Sequence, residues 1–232
     1  MAIVLSRIIL EDNHLLIYNK QPGEIVQGDK TGDTPLSEEI KHYIKSTYSK
    51  PGEVFLGVVH RLDRPVSGAL VFARTSKALT RLNQLLKTGG IRKTYWAVTS
   101  TSPPDEQGHL IHYLVRNEKQ NKSYIHSEAV DHAKNAELKY NLLSVSDHYY
   151  LLEINLITGR HHQIRAQLAH LGCPIKGDLK YGAKRSNPDG SIHLHARSVE
   201  FIHPVRKEMV KCIAKPPDDP LWNHFLQTDQ AK

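Results

Sequence analysis

Short apolar runs with a strand-like period recur along the chain, and a few stretches switch to a helical one. Residues 3 to 10 and His14-Leu15-Leu16-Ile17-Tyr18-Asn19 flank the polar Glu11-Asp12-Asn13, which predicts a hairpin or two short strands closed by the turn Lys20-Gln21-Pro22-Gly23. Thr34-Pro35 opens a helix with Pro at its first position and Glu38 and Glu39 in its early turns. It runs to about Tyr48, where Ser49-Lys50-Pro51-Gly52 stops it. Phe55 to Val59 and Ala69 to Ala73 are strand-like. Ser76 is then the expected cap of a helix whose Leu79, Leu82, Leu85 and Leu86 form one face, with Gly89-Gly90 just past its end.

Arg92 to Val98, Glu137 to Ser144 and Tyr149 to Ile157 have strand composition; in the last, Tyr150, Leu152, Ile154 and Leu156 alternate with Leu151, Glu153 and Asn155. Thr158-Gly159-Arg160 turns into a helix from His161 to Leu171, in which Ile164, Leu168 and Leu171 make an i, i+4, i+7 stripe. A strand pair from Ile192 to Ile202, a strand from Glu208 to Ala214 and a terminal helix from Asp218 to Gln227, docked through Trp222 and Phe225, complete the pattern. Residues 101 to 135 fit either a hairpin or an insertion. The sum is an α+β chain, a mostly antiparallel mixed sheet flanked by helices, expected to form one domain over residues 1 to 232.

Composition narrows the class. No apolar run approaches the ~20 residues of a membrane helix, and the N-terminal apolar residues are interrupted by Arg7 and followed by Glu11-Asp12, unlike a secretory leader. The expectation is a cytoplasmic protein. Cys173 and Cys212 are far apart, which suggests neither a disulfide scaffold nor a zinc knuckle. Net charge is +7, but residues 58 to 96 carry eight Lys/Arg against one acid and residues 160 to 185 carry six against one, leaving the remainder at −5. A basic excess confined to two segments is the footprint of a polyanion-binding face.

The first basic segment holds the chemistry. In His60-Arg61-Leu62-Asp63-Arg64-Pro65-Val66-Ser67-Gly68 one carboxylate sits between two guanidinium groups in a turn where Pro65 fixes φ and Gly68 permits a conformation other residues avoid. This stretch resembles the HRLD…SG motif of RNA pseudouridine synthases of the RluA family. Arg92-Lys93-Thr94-Tyr95-Trp96-Ala97 resembles a second motif of that family and Thr158-Gly159-Arg160-His161-His162-Gln163-Ile164-Arg165 a third. Gly172-Cys173-Pro174-Ile175-Lys176-Gly177-Asp178, Tyr181-Gly182, Leu194-His195-Ala196 and Phe201-Ile202-His203-Pro204 also agree. The likeness covers roughly residues 8 to 215, in the family's order. Val66 and Gln167 depart from it, the family more often having Thr and His there. The resemblance begins almost at Met1, which implies a catalytic domain without the small N-terminal RNA-binding domain of many relatives, so that RNA selection falls to the domain's own loops and basic faces.

The resemblance implies isomerisation of uridine in ribosomal or transfer RNA. Asp63 is the implied nucleophile, and a carboxylate is ionised at neutral pH without help. Arg165 is the expected partner that keeps a desolvated carboxylate charged and aimed. Tyr95 offers a ring to stack on uracil and a hydroxyl to take the carbon 5 proton, and Ile164 closes the other face of the base. Arg61 holds the flipped nucleotide or fills the gap it leaves, while Lys176 and Lys180 meet phosphates. No cofactor, metal, membrane or obligate protein partner is expected: His161 and His162 are adjacent and cannot share a helix face, and His193 and His195 lack a further ligand at suitable spacing. Two other classes compete. A non-catalytic RNA-binding module explains the basic faces but not the carboxylate among them. A hydrolase with an Asp nucleophile needs a second carboxylate, and Pro65 stands where a phosphatase of that type has one.

Overall fold

The computed structural model describes residue 3, residues 5–28 and residues 32–230. The chain forms two compact units, one from residues 1–91 with 196–215 and the other from residues 92–195 with 216–232.

In the first unit, strands β1 (Ile8–Glu11) and β2 (Leu15–Lys20) form an antiparallel hairpin. Asp12 makes its turn: the carboxylate accepts the N–H groups of His14 at 2.7 Å and Leu15 at 2.8 Å, the local bond for which Asp is favoured in turns. Residues 5–7 form a 3₁₀ turn rather than the start of the strand expected from residue 3, and Val4 lies outside the described residues. Helix α1 (Leu36–Thr47) buries Leu36, Ile40 and Ile44, one position per turn. Strand β3 shrinks to Gly57–Val58 and pairs with β4 (Ser67–Ala73). Every residue of β4 is buried, which is why it reads as an unbroken apolar run. Helix α2 (Ser76–Lys87) is capped not by Ser76 but by Thr75, whose hydroxyl accepts the Ala78 N–H at 3.2 Å. Ala78 and Leu82 pack on Leu15, Ile17, Val71 and Phe201 in one core.

Strand β2 pairs antiparallel with β4, Lys20 opposite Gly68, and strand β11 (Met209–Ile213) pairs antiparallel with the later residues of β10 (Leu194–Ile202). The strand pair expected over 192 to 202 is therefore one strand, which neighbours the earlier β4 as well as the later β11.

The second unit orders its strands β5 (Ile91–Thr99), β9 (Tyr150–Leu156), β8 (Lys134–Val145), β6 (Gln107–Asn117) and β7 (Lys122–His126), each antiparallel to the next. Residues 101–135 thus hold the β6–β7 hairpin. Helix α3 (Gln163–His170) lays Ala166 against Leu114 and Ala136, and α4 (Pro220–Gln230) sets Trp222 and Phe225 against Trp96, Val98 and Leu151. Tyr95 and Trp96 are consecutive and so face opposite sides of the sheet; Tyr95 stands in register with Ile154 and Tyr140, away from the α4 side. Among the described residues no helix is long and apolar enough to cross a membrane.

Candidate active site

Asp63 lies in a tight turn of the first unit, closed by the Val66 N–H donating to the Asp63 carbonyl at 3.0 Å. Leu62 and Val66 anchor the turn in the core, and Asp63 itself is half-buried. Two groups fix the backbone around it. His60 Nε2 accepts the Val71 N–H at 3.2 Å, tying the approach to β4. Lys20, with no exposed surface, sends Nζ to the carbonyls of Val66 at 2.6 Å, Arg64 at 3.1 Å, Asp63 at 3.2 Å and Gln21 at 3.0 Å. Burial is the largest influence on this ammonium and draws its pKa down to about 7. The Gly23 N–H adds a bond to the Arg64 carbonyl at 2.9 Å.

Gly68 follows with φ +120°, and a Cβ there would lie 2.4 Å from the Ala196 carbonyl oxygen, so the strand leaving the turn runs hard against the β10 backbone. Gly68→Ala combines overpacking with a disfavoured φ. It should lower stability by about 1–3 kcal/mol or more, which a urea unfolding curve would register; an unchanged midpoint would mean the two strands can separate freely. Arg61 is exposed, and Arg64 meets Asp33 at 2.7 Å on the surface.

The second unit carries the other candidates. Tyr95 in β5 is 7% exposed and Ile164 on α3 is 5% exposed. Arg165, one residue on, is buried and donates from Nε to Asp178 Oδ2 at 2.7 Å and from Nη2 to Oδ1 at 2.8 Å. This planar fork on a carboxylate that is 1% exposed fixes the guanidinium in one orientation. The Tyr181 ring lies 5.0 Å from its carbon and is itself pinned, its hydroxyl accepting the Ser123 N–H at 2.8 Å. The turn into α3 is stapled by Gln163, whose side-chain oxygen accepts the Arg160 N–H and the Thr158 hydroxyl, each at 2.9 Å. His162 takes the left-handed conformation that this turn needs, at φ 52°.

The two lysines assigned to phosphates differ. Lys180 is exposed at the hairpin turn, its Nζ on the Asn121 carbonyl at 3.1 Å. Lys176 is half-buried and donates to Asn187 Oδ1 at 2.7 Å; burial pushes its pKa down. Asn187 also contacts His193 at 3.0 Å, and His193 reaches Asp219, the residue whose carboxylate receives the first N–H groups of α4. Lys176 therefore belongs to a partly buried polar network.

Sequence reasoning missed Lys20 and Asp178 as site residues. A signal for Lys20 was present: counting by twos along β2 puts it on the face of Leu16 and Tyr18, both buried, so its ammonium had to find acceptors inside. Nothing local identifies Asp178 as the partner of Arg165, thirteen residues away.

This antiparallel α+β fold, with a carboxylate turn fixed from within and a buried Arg–Asp fork near the start of a helix, falls in an RNA-modifying class by its likeness to known proteins. The family model described as RNA pseudouridylate synthase matches residues 14–170, and the chain belongs to that family. It is 33% identical over 226 residues to a ribosomal large subunit pseudouridine synthase D from Xylella fastidiosa, covering 91% of this chain and 66% of that one. With a ribosomal large subunit pseudouridine synthase C from Buchnera aphidicola it shares 31% identity, covering 90% of this chain and 67% of the relative. The chain thus spans about two thirds of the length of these curated relatives. Among solved structures, human RNA pseudouridylate synthase domain containing 4 superposes with a TM-score of 0.79 at 25% identity, covering 96% of this chain and 92% of that one.

Proposed function

We propose that this chain isomerises uridine to pseudouridine in structured RNA, with Asp63 as the nucleophile on a flipped-out uridine. The observation that carries the reading is the Asp63 turn, whose backbone is held by Lys20 and His60 inside the stretch matched by the family model. The reaction balances without a co-reactant: the bond from N1 of uracil to the ribose breaks, a bond from carbon 5 forms, carbon 5 loses its proton and N1 regains one. Arg165, oriented by Asp178, keeps the reacting carboxylate charged. Tyr95 stacks on the base and takes the carbon 5 proton; Ile164 packs on the base, and the exposed Arg61 holds the displaced nucleotide. Relatives named for the ribosomal large subunit make large-subunit RNA the first substrate to try, with transfer RNA second, in the cytoplasm and without an obligate protein partner. Mapping pseudouridines in total RNA with and without the gene tests the proposal and names the target; identical maps would contradict it, and release of free uracil or phosphate would favour the hydrolase.

Tyr95→Phe keeps the ring and removes the hydroxyl. Turnover should therefore fall by at least about tenfold while RNA affinity stays within twofold of wild type, as single-turnover rates beside filter binding would record. Equal turnover would reduce Tyr95 to a stacking platform.

RNA affinity should fall steeply with salt, because each phosphate contact adds about 0.7 to the log–log slope on single strands and about 0.9 on duplex. Lys180→Gln should reduce that slope by roughly one contact. Lys176→Gln should change it less, since Lys176 Nζ is already engaged by Asn187. A flat salt response in the wild type would remove the basic-face argument.

A further inference from the structure

We propose that Lys20 is a proton-dependent latch on the turn that carries Asp63: as an ammonium it holds the turn, and as an amine it lets go, so turnover falls on the alkaline side while RNA binding does not. The inference rests on the reading of Asp63 as the reacting carboxylate.

The geometry carries it. Three of the four carbonyls around Lys20 Nζ belong to Asp63, Arg64 and Val66, the backbone of the turn itself. An ammonium has three N–H donors and no lone pair, so all of its protons are used against four acceptors. A neutral amine has only two N–H groups and turns a lone pair toward carbonyl oxygens, leaving buried acceptors unmet. The charged groups nearby are Glu24 and Asp63, which favour the ammonium, and Arg64, which opposes it. Glu24 is held in place by Arg7 at 3.0 Å and by the Gln21 N–H at 2.7 Å. Burial outweighs these charges and brings the titration down to about 7 from the lysine value of 10.5; the carbonyl acceptors work in the opposite sense by holding the proton on.

The sign of the linkage gives the latch a signature. Since the folded pKa lies below the unfolded one, the unfolded chain binds the proton more tightly between them. The stability contributed by Lys20 therefore rises as pH climbs from about 7 to 10.5, and it is lost as pH falls back through that window. Turnover moves the other way, which separates release of the turn from general unfolding.

The test measures kcat and KM from pH 6 to 10 for wild type and Lys20→Met. Wild-type kcat should fall toward tenfold per pH unit, as for a single ionisation (about 1.4 kcal/mol per unit), with KM for RNA unchanged. Lys20→Met should be slow and indifferent to pH over the same range. A wild-type fall that persists in Lys20→Met, or a Lys20→Met enzyme as fast as wild type, overturns the latch. A second measurement on wild type without RNA covers a Lys20→Met chain that does not fold: with ¹³C at the lysine ε-carbons and ¹⁵N in the amides, the Val66 and Gly23 amides should shift with the midpoint of the Lys20 ε-carbon. An ε-carbon that titrates only above about pH 10, or amides that ignore it, overturns the proposal. The amide titration does not depend on Asp63 chemistry, so an active Asp63→Asn enzyme would sink the catalytic reading while leaving the latch to be judged by its own signals.

Discussion

Asp63→Asn is expected to reduce pseudouridine formation to background while RNA affinity holds or rises slightly. The substitution keeps size and shape but removes the negative charge and nearly all nucleophilicity. Phosphate contacts dominate affinity, and one acid has left the segment that carries eight Lys/Arg. The bonds from Lys20 to the main-chain carbonyls of Asp63, Arg64 and Val66 do not need the Asp63 side chain, but its charge favours the ammonium, so the comparison is made at pH 6, where Lys20 keeps its proton and the turn should survive. A thermal melt of Asp63→Asn belongs beside the activity assay, to show that inactivity is not unfolding. A folded Asp63→Asn chain that still isomerises uridine near the wild-type rate would remove Asp63 from the chemistry.

Asp178→Ala should be the most damaging single change to stability. It strips a bidentate partner from Arg165, and the side chains of the pair are only 6% and 1% exposed. Breaking a buried pair from one side costs about 3–5 kcal/mol. For a chain of this size each kcal/mol moves the melting temperature by about 2–4 °C, so a drop of roughly 6–20 °C is expected by calorimetry or circular dichroism. Asp178→Asn, which retains one acceptor oxygen, should lose less. A shift of only a degree or two for Asp178→Ala would mean that the fork contributes little and that Arg165 is oriented by other contacts, the Tyr181 ring among them.

Some strands were legible because their burial is total or partly follows period 2, whereas β6 and β7 fall in the stretch that fits either a hairpin or an insertion. In β9 the buried Leu152 and Ile154 alternate with the less buried Glu153 and Asn155, a pattern broken at Leu151, which α4 covers, and β4 is buried throughout and reads as one apolar run. The helices were legible by their stripes, but their ends shifted where caps compete: Thr75 outdoes Ser76 because its hydroxyl reaches the Ala78 N–H. The residues 5–7 turn and the single long β10 were not legible, since aliphatic composition alone does not separate a 3₁₀ turn from a strand or one strand from two. At the site the motif residues stood out, being charged groups in an unusual order. The groups that hold them did not. Asp178 meets Arg165 and Asn187 captures Lys176 only through tertiary placement, so the expectation that Lys176 is simply a phosphate contact had no means of foreseeing the Asn187–His193–Asp219 network. Lys20 lies between these cases, readable by strand parity although Lys20-Gln21-Pro22-Gly23 also has the composition of a turn.

The most direct measurement uses the proton that pseudouridine formation must expel. RNA transcribed with tritium at carbon 5 of uridine, either ribosomal large-subunit or transfer RNA, is incubated with the purified wild-type protein and tritium is counted in the solvent. Isomerisation predicts release of one tritium per modified uridine, with the RNA unchanged in length and mass apart from the exchanged hydrogen, and no release with Asp63→Asn. A folded wild-type protein that binds these RNAs and releases no tritium from any of them would contradict the account.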